Sequence, residues 1–201
     1  MLTYLNVFRD VGRRGAFVLQ QDLSEFEHSL ARFTGAKYAV GVANATDGLQ
    51  MALMAGGIGP GDEVIFCTHT MMATASAIHF AGGIPVPVEA GSDHLIDVEK
   101  IEMLITAKTR AICPTQLNGR TANMDRIHAI AEQHGLQVYE DAAQALGSKW
   151  NGKSAGTFGV ASCISFYPAK VLGTLGDAGA IITNRKDIYE KLMLLRNHGR
   201  D

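Results

Sequence analysis

The sequence predicts an α/β fold of the doubly wound kind, a mostly parallel sheet with helices on both faces, and three observations support it. From Tyr38 onward, short apolar runs rich in β-branched residues alternate with stretches of helical period. The runs are apolar at nearly every position instead of every second one, the pattern of strands covered on both faces. The 201 residues, 47% hydrophobic and 19% charged with 22 Gly and 5 Pro, describe a globular chain long enough to bury a sizeable core without staples.

Residues 1–33 read as a helix or arm packing on the core, and residues 34–201 as one continuous domain, because no linker composition or repeat interrupts them. YAVGVA (38–43) is a strand and TDGLQMALMA (46–55) its helix; EVIFC (63–67) precedes the helical MMATASAIHFA (71–81). PVPV (85–88) leads to a helix over DVEKIEMLI (97–105), with Asp97 as its start signal. RAICPTQ (110–116) precedes the helix MDRIHAIAEQHG (124–135), and LQVYEDA (136–142) runs into DAAQALG, where small residues begin a helix. VASCISF (160–166) and AGAIITN (178–184) are the last strands and DIYEKLMLLRNHG (187–199) the last helix. Gly135 and Gly199, each preceded by His, close their helices.

Composition removes several classes of function. Eighteen basic against twenty acidic residues give a net charge of -2, which offers no field for a polyanion, so nucleic acid is not an expected partner. No apolar run reaches membrane-spanning length and the N-terminal arginines follow their short apolar stretch, so neither a membrane nor a secretory route is expected. Cys67, Cys113 and Cys163 are far apart and odd in number, which fits a reducing, cytoplasmic setting. The seven histidines lack ligand spacing, so no metal is expected. GSKWNGKS (147–154) satisfies the GxxxxGK[ST] spacing, but it follows a helix-like stretch and leads into a strand, whereas a phosphate loop leaves a strand and opens a helix. A surface hairpin is the expectation there, with nucleotide binding as its rival. Gly57, Gly59 and Gly61 precede a strand and read as a turn, and the sequon at Asn44 is a chance match.

In such sheets ligands bind beyond the carboxyl ends of the strands, and three stretches there carry chemistry. Tyr139–Gln144 ends an apolar strand in acidic residues; Asp141 on its own would be read as a helix N-cap. Ser165–Gly173 holds Lys170 among apolar and aromatic neighbours, the kind of lysine that condenses with an aldehyde, although a solvated loop lysine is the ordinary alternative. Ala43–Gly48 is a small-residue turn into a helix whose free amides and dipole suit a phosphate, or simply a tight connection capped by Thr46. Together they supply what pyridoxal phosphate needs: a lysine for its aldehyde, a carboxylate for its ring nitrogen, and a helix end with a serine hydroxyl for its phosphate.

The ordered segments GRRGAFVL, ANATDGL, GIGPGDEVI, THTMMATASAI, NMDRIHAIAEQHG, YEDAAQALG, SFYPAKVLGTLGDAGAI and LRNHGRD resemble the DegT/DnrJ/EryC1/StrS family of pyridoxal-phosphate sugar aminotransferases. The resemblance implies an aspartate-aminotransferase-like (fold type I) large domain. It implies that Lys170 anchors the cofactor and moves the substrate proton, and that Asp141 meets the ring nitrogen. Gln144 would face the ring hydroxyl, and Ser165 with the Ala45-Thr46 turn would hold the phosphate. Met71 stands where relatives carry an aromatic residue over the ring, and His69 is its neighbour. The implied reaction moves an amino group from glutamate or glutamine to a ketone, commonly on a nucleotide-activated sugar, in amino-sugar biosynthesis, by a homodimer with its active site at the interface.

Two departures accompany the resemblance. Asn44-Ala45-Thr46 replaces the usual Ser-Gly-Thr, and relatives continue past LRNHGRD into a smaller C-terminal domain, so a fragment is the expectation, with a naturally shortened chain as the alternative. The rivals are a keto-sugar dehydratase, which carries histidine in place of the lysine, and a non-catalytic chain that binds cofactor or a partner.

Overall fold

The computed structural model describes residues 2–200. A seven-stranded sheet runs in the order β1-β9-β8-β5-β4-β2-β3, formed by β1 (Tyr38–Val42), β2 (Glu63–Cys67), β3 (Ile84–Val88), β4 (Thr109–Cys113), β5 (Gln137–Asp141), β8 (Ala161–Ser165) and β9 (Gly179–Thr183). Only β9 runs against its neighbours, pairing antiparallel with both β1 and β8. The helices are α1 (Leu2–Arg14), α2 (Gln21–Thr34), α3 (Ala45–Ala55), α4 (Met72–Phe80), α5 (Met124–His134) and α6 (Lys186–Arg196).

The pleat explains why the strands are apolar throughout. Val64, Ala111, Cys113 and Tyr139 pack with Leu49, Leu53, Ile78 and Leu192 on one face. Their alternates Ile65, Ile112 and Val138 pack with Ile127 and Ile130 of α5 on the other. Towards the β1 edge, Ala39, Ile164 and Ile182 join Leu30 of α2 and Phe166. The β3 edge carries Pro85 and Pro87, where missing amide donors cost the sheet least. Glu27 of α2 accepts the Gly41 amide at 2.7 Å and pairs with Arg196 of α6, tying both helices to β1.

Two expected helices are absent. Residues 97–105 form two 3-10 turns, Val98–Lys100 and Glu102–Leu104, with Asp97 capping the Glu99 amide at 3.2 Å. Of the two turns and the residue between them only Ile101 is buried, and an apolar face that narrow cannot hold a longer helix. After β5 the chain stays extended for one more bond, Ala142 N–H to the Cys163 carbonyl at 3.0 Å, and then enters tight turns. Asp141 is therefore a strand terminus and not a helix cap, and Gln144 reaches its place from a turn, not from a helical turn as expected.

Residues 147–154 fold as expected of a hairpin: β6 (Lys149–Trp150) pairs with β7 (Lys153–Ser154) across Asn151 and Gly152, both at positive φ. Lys153 lies 4.5 Å from the Phe158 ring centre, over a side chain and not a phosphate cradle. No helix among the described residues is long and apolar enough to cross a membrane.

Candidate active site

The parallel strands and β1 deliver their carboxyl ends to one edge of the sheet, and register fixes what meets there. Asp141 lies beside Cys163, and Ser165 beside Gly179, which in turn faces Val42. Asp141 is 5% exposed. Its Oδ2 accepts the Thr74 hydroxyl at 2.6 Å; Oδ1 accepts the Ala143 amide at 3.1 Å and faces the Cys163 thiol at 3.6 Å. Burial and the adjacent carboxylate push that thiol well above its ordinary value, so it stays a neutral donor. A buried carboxylate paired only with neutral donors, and lining a cavity, suits a cationic partner from outside the chain.

Lys170 sits on the irregular connection between β8 and β9. Its amide bonds the Tyr167 carbonyl at 2.8 Å. Thr174 closes the loop, its amide and hydroxyl both donating to the Phe166 carbonyl at 2.8 Å. Gly173 allows the closure, since a Cβ there would stand 2.5 Å from the Pro168 carbonyl oxygen.

Across from this loop α3 begins. Asn44 caps it by accepting the Asp47 amide at 2.8 Å, and helix geometry leaves the Ala45 and Thr46 amides without intrahelical acceptors. A Cβ on Gly179 would stand 2.5 Å from the Asn44 carbonyl carbon and 2.6 Å from the Ala45 nitrogen, so β9 is pressed against this turn. Ser165, at the end of β8, accepts the Tyr167 amide at 3.3 Å.

A cavity of about 590 Å³ joins these parts. Its lining includes Ala45, Thr46, Met71, Asp141, Gln144, Ser165 and Lys170, so every expected site residue reaches one space. Gln144 accepts the Asn118 amide on its side-chain oxygen at 3.2 Å, which leaves its NH2 as the donating end. Met71, 65% exposed, stands at the start of α4 on the cavity rim. His69 instead bonds the His94 carbonyl at 3.1 Å and does not line the cavity. A second cavity, about 850 Å³, is larger but lined mainly by apolar groups such as Leu23, Phe26 and Leu172, with Asp47 and Arg196 its charged members; it lacks a cluster able to do chemistry. No group of three His, Cys, Asp or Glu able to hold a metal exists among the described residues.

Sequence reasoning missed two features. Thr115 donates to Thr70 at 2.9 Å, Thr70 lies 2.7 Å from Thr74, and Thr74 reaches Asp141. The threonines of THTMMAT and CPTQ were the available signal. Glu140, fully buried, accepts the amides of Phe158 (2.7 Å), Gly156 (2.8 Å) and Gly159 (3.2 Å) and the Gln116 side chain (2.8 Å). Burial raises its pKa against the pull of those four donors, and the network holds the strand end that presents Asp141.

A parallel-sheet domain whose cavity gathers a lysine, a carboxylate and a helix N-terminus carries the groups that pyridoxal phosphate requires. Over residues 3–201 the chain matches, and belongs to, the DegT/DnrJ/EryC1/StrS aminotransferase family, whose enzymes depend on pyridoxal phosphate. It is 44% identical over 196 residues to a pleiotropic regulatory protein of Geobacillus stearothermophilus, covering 97% of this chain and 53% of that protein. It is 43% identical over 186 residues to the dTDP-3-amino-3,4,6-trideoxy-alpha-D-glucose transaminase of Streptomyces venezuelae, covering 92% and 49%. The crystal structure of NtdA from Bacillus subtilis with bound PMP superposes with a TM-score of 0.89 at 34% identity, covering 94% of this chain and 43% of that one. The chain spans about half the length of the curated relatives it matches.

Proposed function

We propose that the chain is the cofactor-binding large domain of an aminotransferase that transfers an amino group from glutamate or glutamine to a keto sugar, nucleotide-activated, in amino-sugar biosynthesis, and that it works as a homodimer with the active site at the interface. The observation that carries the reading is the single cavity holding Lys170, Asp141 and the start of α3. The names of similar proteins, transaminases of dTDP- and UDP-linked sugars among them, support the substrate class. The residues fit pyridoxal phosphate: a buried carboxylate without an internal cation, with helix-end amides and the Ser165 hydroxyl on the same cavity.

Bound there, the cofactor supplies an electron sink for the pair left when the substrate's amino-bearing carbon loses its proton. Lys170 would hold the cofactor and would be the group on this chain placed to take and return the substrate proton. Asp141 would accept the ring N–H and so favour the cationic ring. Gln144, whose side-chain oxygen is taken by the Asn118 amide, would donate its NH2 to the ring oxygen. The Ala45 and Thr46 amides and the Ser165 hydroxyl take the phosphate, with the α3 dipole favouring the anion. Met71, on the cavity rim, would offer the cofactor a polarizable thioether.

Borohydride reduction of the purified chain with pyridoxal phosphate, followed by peptide mapping, tests the assignment. The mass tag belongs on the peptide with Lys170, and Lys170→Ala keeps the fold but loses the visible absorbance of the bound cofactor. A tag on another lysine, or an unaltered spectrum, overturns it.

A further inference from the structure

We infer that Thr74 is a positioning residue: its hydroxyl, fed through Thr70 by Thr115, orients the Asp141 carboxylate so that one acceptor position is left for the cofactor's ring nitrogen. This rests on the role proposed for Asp141. An ionised carboxylate only accepts, so the single hydroxyl hydrogen of Thr74 is committed to Oδ2 at 2.6 Å. Thr74 must then accept from Thr70 at 2.7 Å, and Thr70, its hydrogen spent, accepts from Thr115 at 2.9 Å. Every hydrogen in the chain points toward Asp141, and each bond polarises the next.

The four residues come from four places. Thr115 follows β4, Thr70 lies between β2 and α4, Thr74 is in the first turns of α4, and Asp141 ends β5. A helical threonine ordinarily satisfies itself on a carbonyl of its own helix; Thr74, fully buried, instead bonds a strand 67 positions away.

A carboxylate offers about four acceptor positions. Thr74, the Ala143 amide and the Cys163 thiol use three, and the fourth matches the one N–H of a protonated ring nitrogen. Thr74 also bonds back through its amide to the Met71 carbonyl at 3.1 Å, so one turn of helix sets both the carboxylate in the cavity and the thioether on its rim.

Pyridoxal phosphate is titrated by its visible absorbance into the wild-type chain and into Thr74→Val, Thr74→Ser and Thr70→Val, and the titrations are repeated with the 1-deaza analogue, whose ring carries C–H in place of nitrogen. Thr74→Val keeps the shape and removes the hydroxyl; losing a hydrogen bond to a charged group weakens pyridoxal phosphate about tenfold, while Thr74→Ser stays within about twofold. Thr70→Val, one link back, weakens it about threefold and serves if Thr74→Val does not fold. For the analogue all four proteins bind alike, and the pH at which bound pyridoxal phosphate changes colour moves in Thr74→Val and not in Thr74→Ser. Wild-type affinity in both valine variants, or an equal loss with the analogue, overturns the inference. A wild-type chain that gives no visible band overturns the proposed site itself.

Discussion

One methyl group added at Gly179 probes how tightly the proposed phosphate turn is built. In Gly179→Ala the new Cβ stands 2.5 Å from the Asn44 carbonyl carbon, 2.6 Å from the Ala45 nitrogen and 2.8 Å from the Asn44 oxygen, all backbone. To reach ordinary contact the two segments must separate by about 0.9 Å, a displacement of the kind that overpacking charges about 2–3 kcal/mol. Neither side yields readily. Gly179 is held in register with Val42 on one side and Ser165 on the other, and Asn44 is fixed as the cap of α3. Urea unfolding should show that loss with the slope unchanged, and the melting temperature should fall by about 4–12 °C. Cofactor affinity should drop in the folded variant because the helix-end amides shift. Gly59→Ala, at a site with nothing within 4 Å, is the control and should stay within about 0.5 kcal/mol of wild type. A Gly179→Ala protein with wild-type stability and cofactor affinity would refute the claim that β9 presses on this turn.

Two further outcomes follow from the ionisable groups. Glu140→Gln replaces one acceptor oxygen by an NH2 that must face two donors, so stability should fall by about 2–4 kcal/mol in urea unfolding; a loss under about 1 kcal/mol would mean that the four amides do not need the carboxylate. The Glu102 carboxyl, hydrogen-bonded by His134 and beside Arg126, is held below its ordinary value of 4.5, so its contribution is present above that pH and lost as the pH falls through the lowered value. The urea midpoints of wild type and Glu102→Gln should therefore differ at neutral pH and converge in acid; a constant gap would contradict the linkage.

The strands were legible because the pleat sends Val64 and Ile65, or Ala111 and Ile112, to opposite faces that are both buried, which only unbroken apolar runs satisfy. The segment 97–105 was not legible, because its period signals a helix while the fold asks it to bury only Ile101. At Asp141 the residue type was informative and its local structure was not: acidic after apolar suggested a cap, but the bond from Ala142 to Cys163 extends the strand and turns the side chain into the cavity. Lys170 and the turn at Asn44 could be found because a glycine-bounded loop and a helix start are local signals. The threonine chain was legible only as residue types, since Thr115 meets Thr70 and Thr74 meets Asp141 only when the strand order sets β2 beside β4 and β4 beside β5.

The antiparallel return of β9 bears on how the chain is made. Val42 and Gly179 are register partners drawn from opposite ends of the sequence, with β8 joined to β1 only through β9. During synthesis β1 therefore waits, an unpaired apolar segment, until nearly the whole domain has left the ribosome. Closure of the sheet becomes a late, non-local step, the sort that is slow and exposed to misassembly. The start of α3 and the loop of Lys170 flank that seam, so the proposed cofactor site is complete only once β9 has paired with β1 and β8.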